Sequence, residues 1–363
     1  MNIGFVGLGA VVETAYLPAL KALSLPVTAL WGYDRNPQRL LPGVTPCDSL
    51  AALLAQPIDT LFITTISLQH LPVLEQALRS SIPRIVVEKP IAATLAQLTD
   101  LRRLLMVPEN ACRVLALDHW MARDGALCLA QGNMDARWSP ERGAAIGRAP
   151  VASLADIVSL DGFLLEPSGF NAAGEPIALN FATGEPDTRQ LRHPDGVIVD
   201  IGTHVLAMMR ETVRYLGGSD EIQLVAEQVK DRLGRPIVYG DTETAEGEAH
   251  LKGTLGHIPV NLWLNKYAGP GVERKGIRIY LRDGRIISQT RAPGGESVEL
   301  IDGDRVMRWA RPGAIYAHCL GEQILGKRSL FFRAPDEVAK LTQRRMAEVE
   351  TLLRIQQQLR GEH

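Results

Sequence analysis

The chain has 363 residues, 46% of them hydrophobic and 22% charged, with a net charge of −2. That length leads us to expect two domains. Near-neutral charge, with no basic tail or charge run, excludes nucleic acid and anionic membrane surfaces as first choices of partner. No run reaches the roughly 18 to 20 apolar residues of a membrane span. The opening "MNIGFVGLG" has no secretory pattern. Four scattered cysteines form no Cys-x-x-Cys, so reduced thiols and a cytoplasmic setting are expected. Eight dispersed histidines form no His-x-x-x-His, so the sequence asks for no metal.

The first 120 residues alternate short apolar runs with helical patterns. "NIGFVGL" reads as a strand and "ETAYLPALKAL" as a helix that Pro18 either kinks or starts. "VTALWGY", "DTLFITT", "RIVVE" and "RVLALD" read as further strands. "DSLAALLAQ", "LQHLPVLEQALRS" and "TLAQLTDLRRLLM" read as helices between them, the last opened by a capping box of Thr94 and Gln97. Short, continuously apolar strands suit a parallel sheet covered on both faces. The alternation predicts a doubly wound α/β domain over 1–120.

Residues 131–195 are rich in Gly, Pro and polar side chains and show one strand candidate, "DIVSLDGFLLE". A helix follows and stops at Gly217-Gly218. Alternating runs then turn at Asp283-Gly284 and Asp302-Gly303, which predicts an open, mainly antiparallel sheet. The chain ends in a helical pattern. Residues 121–363 are therefore expected to form an α+β domain.

"FVGLGAVV" places Gly7 and Gly9 after the first strand and before a helix. The first glycine makes the turn and the second lets backbone approach a pyrophosphate on the helix N-terminus, beside Ala10 and Val11. Val12 stands where the fingerprint wants a small residue. Asp34 ends the second strand, near the usual spacing of about 20 residues for the ribose-binding acid. Its charge favours NAD over NADP, a preference tempered by Arg35, which could receive a 2′-phosphate. The alternative is a tight turn that binds nothing.

"VVEKPIA" puts Glu88 and Lys89 at the carboxyl end of the fourth predicted strand, where open α/β sheets bind ligands. A lysine there could stabilise an alkoxide. "DGVIVDIGTHVLAMM" places Asp200 and His204 four apart, on one helical face. Val205, Met208 and Met209 would form the packed side, and Gly202 would allow backbone or ligand to approach. A buried Asp–His hydrogen bond that only organises the core would explain the pair as well.

The Gly-x-Gly loop, Glu-Lys-Pro and Asp-x-Gly-x-His together resemble the Gfo/Idh/MocA oxidoreductase family over nearly the whole chain. "AYLPAL" and "TTISLQHLPVLEQAL" are similar to that family's first helix and strand-three loop, with Ile66 and Ser67 in place of the usual proline and asparagine. "LDHWMARDGA" and "RSLFFRAPDEV" are locally similar to glucose-6-phosphate dehydrogenases, with Trp120 and Arg123 replacing a tyrosine and a lysine. The resemblance implies a Rossmann domain joined to an open-sheet α/β domain. It implies bound NAD(H) or NADP(H), held by Gly7, Gly9, Ala10, Val11, Asp34, Arg35, Thr65, Ser67, His70, Glu88 and Lys89. It also implies a catalytic group of Lys89, Asp200 and His204, with His119 and Arg123 added for a small polar substrate.

In this reading His204 takes a hydroxyl proton as hydride leaves the same carbon, Lys89 stabilises the alkoxide, and Asp200 orients. Lys89 and His204 can exchange these roles. Arg189, Arg192 and His193 offer a basic group for an anionic substrate, or a solvated loop. The expected activity is a dehydrogenase or reductase on a sugar, cyclitol or similar polyol, as a homodimer or homotetramer. The alternatives are a redox-neutral NAD-dependent glycosidase and a non-catalytic nucleotide-binding regulator.

Overall fold

The computed structural model describes every residue except 180–183, 188–195, 273, 293, 328 and 362–363. The chain divides into two compact units: Met1–Asp118 with Tyr316–Glu350, and His119–Ile315 with Thr351–His363.

The first unit is built on a six-stranded parallel sheet. Its strands are β1 (Asn2–Val6), β2 (Ala29–Tyr33), β3 (Thr45–Pro46), β4 (Thr60–Ile63), β5 (Ile85–Val87) and β6 (Val114–Ala116), in the order β3-β2-β1-β4-β5-β6. This is the doubly wound order whose direction reverses between β1 and β4, the crevice where such sheets bind nucleotides. Every side chain of β4, β5 and β6 is buried, as continuously apolar runs require. Five strands match the sequence pattern. The sixth, β3, is two residues long and too short to leave one.

The first helix has two parts, a π segment at Val12–Tyr16 and an α segment at Leu17–Leu23. Pro18 has no N–H and its ring would press on the carbonyl four residues back, so the widened turn accommodates it. Thr94 caps its helix as expected, accepting from Gln97 N, and Ser49 does the same for Ala52 N. The Gln97 carboxamide reaches Ala93 N, one residue before the position a capping box would use.

Residues Tyr316–Glu350 return to this unit, a path for which the sequence gives no sign. Thr342 Oγ1 there accepts from Ala116 N at 3.0 Å and donates to Val114 O at 2.8 Å, closing the edge of β6.

The second unit carries β7 (Ser139–Pro140), β8 (Ile157–Leu165), β9 (Ser168–Phe170), β10 (Pro176–Ala178), β11 (Ile222–Lys230), β12 (Glu248–Leu255), β13 (Ile258–Asn265), β14 (Arg274–Leu281), β15 (Ile286–Ala292), β16 (Gly295–Asp302) and β17 (Arg305–Pro312). Nine of them form one sheet, β11-β12-β13-β8-β14-β15-β16-β17-β7. It is antiparallel throughout except where β13 runs parallel to β8. At one edge β11 carries a bulge between Ala226 and Gln228; at the other, β7 ends in Pro140. The basic group of Arg189, Arg192 and His193 lies outside the described residues.

The helix Gly202–Tyr215 packs on β8, with Val205, Met208 and Met209 buried as expected. It ends where predicted, with Gly217 at φ +90° and Gly218 N bonded to Val213 O. A Cβ at Gly162 would collide with Met209 Sδ and Val205 Cγ1. Gly162→Val should therefore destabilise the protein by about 1–3 kcal/mol. Denaturant melts check this, with an unchanged midpoint counting against the packing described.

Candidate functional site

In the first unit the Gly-x-Gly loop is shaped by two opposite needs. Gly7 has φ +92°, and a Cβ there would lie 2.8 Å from Thr65 N and 2.9 Å from Thr64 O. Only glycine fits that backbone and that space. Thr64 Oγ1 tightens the approach, donating to Gly7 O at 2.6 Å. Gly9 is different, because a Cβ there would meet nothing within 4 Å. The open space above Gly9 suits a pyrophosphate lying close to the loop at the helix start. The buried Thr65 Oγ1 has no hydrogen-bond partner among the described residues. Both observations fit a dinucleotide.

Asp34 supports this loop. Its Oδ2 accepts from Leu8 N at 2.7 Å and its Oδ1 from Asn36 N at 2.9 Å. Each oxygen keeps a second acceptor site for a ribose hydroxyl. Arg35 is exposed next to it. Arg39, not singled out in the sequence, donates to Leu8 O at 2.6 Å and Glu13 Oε2 at 2.7 Å.

The β5 end is held from inside. Glu88 is buried, with Oε1 accepting from the Tyr16 hydroxyl at 2.6 Å and Oε2 from Lys89 N at 3.0 Å. Burial, reinforced by the Glu88 charge, holds the Tyr16 hydroxyl well above the ordinary phenol range, so it stays a donor. Glu88 thus fixes the backbone that presents Lys89.

His70, expected at the cofactor, is 1% exposed, with Nδ1 2.8 Å from Pro90 O and Nε2 3.0 Å from Thr65 O. A neutral ring donates to one of these carbonyls according to its tautomer, and His70 thus sits between the Thr65 loop and the Lys89-Pro90 turn. Burial lowers its pKa, against the pull of the two carbonyls. Ser67 opens the short helix Ser67–Gln69 in the same loop.

In the second unit the helix expected across 195–209 is interrupted. Val197–Asp200 forms one turn, Ile201 departs to φ −111°, and Gly202–Tyr215 starts anew. Asp200 and His204 each have a partner from outside this helix. The Asp200 carboxylate is ion-paired with Lys266, which follows β13 and is buried. The His204 ring meets His119 edge-on at 4.5 Å between centroids, both residues being buried. Gly202 is filled on its open side by Leu264 and Leu352, so packing rather than ligand approach explains that glycine.

Arg123, expected at the substrate, is 2.7 Å from Glu296, both side chains being buried, and donates to Lys275 O at 2.8 Å. Lys266 was missed by the sequence reading because its partner lies 66 residues away and no local motif marks it.

A crevice with this loop and this acid is the arrangement in which a doubly wound sheet can hold a dinucleotide. Residues 1–115 match the model of the GFO_IDH_MocA oxidoreductase family, NAD-binding Rossmann fold, in agreement with the resemblance read from the motifs. Curated protein sequences give no match.

Among solved structures, the chain is similar to UDP-N-acetylglucosamine 3-dehydrogenase GnnA from Acidithiobacillus ferrooxidans. The TM-score is 0.62 at 18% identity, over 98% of this chain and 97% of that one. It is also similar to KijD10, a 3-ketoreductase from Actinomadura kijaniata in complex with NADP and TDP-benzene. Here the TM-score is 0.62 at 17% identity, over 97% of this chain and 96% of that one. At these identities the likeness establishes a shared fold across both units.

Gly9→Val should leave stability within about 0.5 kcal/mol, since the added atoms meet open space. The same variant should weaken NADH or NADPH binding at least about tenfold by filling the pyrophosphate's place. Nucleotide titration with a parallel melt checks both, and undiminished affinity would mean the loop only makes a turn.

Proposed function

We propose that the protein is an NAD(P)-dependent dehydrogenase or reductase acting on a hydroxyl or carbonyl carbon of a sugar, cyclitol or similar polyol. The observation that carries this reading is the Rossmann loop of Gly7 and Gly9, braced by Asp34, with Lys89 fixed at the end of β5 by Glu88. Gly7, Gly9, Ala10, Val11, Asp34 and Thr65 would hold the cofactor. When bound, its nicotinamide supplies or accepts the hydride.

His204 is the general acid–base, a group suited to moving a proton near neutral pH. Lys89 stabilises the charge that develops on the substrate oxygen. Asp200, steadied by Lys266, orients the substrate, and His119 borders His204. NAD is preferred, since Asp34 repels a 2′-phosphate; Arg35 and Arg39 are the groups that would favour NADP instead.

The names of the structural neighbours make nucleotide-linked sugars the first members of a substrate panel, followed by free sugars and cyclitols. The open face of the large sheet supports a homodimer, with a homotetramer as the alternative. Trp263 on that face is 38% exposed and stacks on His250, while Asp161, Asn261 and Tyr280 form a polar network beside it.

The test is a titration with NADH and NADPH, followed by an absorbance screen of the panel. Binding of one nucleotide and turnover of a polyol or sugar nucleotide is the expected result. Nucleotide that copurifies and never changes its redox state would favour a redox-neutral glycosidase. Lys89→Ala should lower kcat at least about a hundredfold while nucleotide affinity stays within about twofold. Steady-state kinetics with a binding titration checks this, and undiminished turnover would remove Lys89 from the mechanism.

A further inference from the structure

The Asp200–Lys266 pair is assembled from two segments far apart in sequence, and a third segment grips both. Glu246 O accepts from Val197 N at 3.0 Å, at the start of the turn that carries Asp200. Its neighbour's carbonyl, Gly247 O, accepts from Lys266 N at 3.1 Å. The Glu246-Gly247 peptide therefore sets the backbone on each side of the pair. Gly196, the residue before the turn, has no side chain because a Cβ there would collide with the Glu246 carboxylate.

That carboxylate is itself fixed from the last helix. Glu246 and Arg360 form an ion pair whose side chains are both 0% exposed. Gln356 Nε2 lies 3.4 Å from each Glu246 oxygen. Arg360 also donates to Asp241 O at 2.6 Å, and Gly240 N donates to Leu359 O at 3.1 Å. A buried ion pair contributes little net stability over apolar side chains of similar volume. What it does supply is a fixed, directional attachment.

We propose that Arg360, through Glu246, is a positioning residue for the Asp200–Lys266 pair. The chain of contacts runs from the end of the last helix to Glu246, then to the two peptide carbonyls, then to the acid and the lysine. As a role in catalysis this rests on the dehydrogenase reading above. As a statement about the geometry of Lys266 it does not.

The experiment labels the lysine side chains with 13C and reads the Lys266 Hε–Cε NMR peak in the protein without nucleotide or substrate. Lys266→Arg identifies the peak by its loss. In Arg360→Met, and in the double variant Glu246→Gln/Arg360→Met that leaves no unpaired buried charge, the peak should move toward the position of a solvated lysine. Arg360→Lys should restore it in part. With a substrate in hand, kcat should fall at least about tenfold, with KM and nucleotide affinity unchanged.

A Lys266 peak that keeps its wild-type position in a folded variant overturns the proposal, whatever happens to stability. If both methionine variants fail to fold, Arg360→Lys decides by the same peak, because it keeps the charge and loses the two-pronged grip. Absence of turnover in the wild type would count against the dehydrogenase reading alone. Lost turnover with an unmoved Lys266 peak would count against this proposal alone.

Discussion

The approach of Gly7 to the backbone of Thr64 and Thr65 is the constraint on which the nucleotide-binding unit depends. It brings the loop after β1 against the loop after β4, where the sheet order reverses. Thr64 closes the approach with its hydroxyl, and Asp34 braces the far side through Leu8 N. Every other part of the crevice follows from that junction. His70 links the Thr65 loop to the Lys89-Pro90 turn, and Tyr16 reaches across to Glu88. The loop is thus held in shape by the protein's own groups, which reduces the ordering cost of binding.

The second unit solves a different problem, that of holding charges in a packed interior. Glu296, Glu246 and Asp200 are each given a cation: Arg123, Arg360 and Lys266. Burial pushes the Glu296 and Glu246 carboxyls upward while their arginines pull them down. Such pairs add little net stability, yet removing one partner alone is costly, about 3–5 kcal/mol. The helix Gly202–Tyr215 is held chiefly by packing, being buried over most of its length. The close contact at Gly162 sets the depth of that helix, and the Asp200–Lys266 pair lies just before its start.

Much of this was legible in the sequence. Buried parallel strands announce themselves as unbroken apolar runs, and β1, β2, β4, β5 and β6 were read that way. Gly7, Gly9, Asp34 and Lys89 follow from position relative to those runs. The break at Ile201 was not legible, because the apolar spacing continues through it. Nor was the filling of Gly202 by Leu264 and Leu352, since a glycine's neighbours are set by tertiary packing. Lys266, Glu246 and Arg360 carry no motif, and each partner is remote in the chain. His70 and Arg123 are read as ligand contacts from similarity, and the carbonyls beside His70 and the Arg123–Glu296 pair, both set by tertiary packing, carry no local sequence signal.

The two ends of the large sheet bear on how copies of the chain can associate. A free strand edge is a template for strand addition and for uncontrolled growth. Here the bulge in β11 interrupts the ladder at one end, and Pro140, with no N–H to offer, stands in the short strand at the other. Both edges are blunted in ways that protect against aggregation. Were copies of the chain to associate, they would be directed away from backbone pairing at these edges and toward side-chain complementarity on a broad surface. That surface can change by substitution without threatening the hydrogen-bonded ladder beneath it.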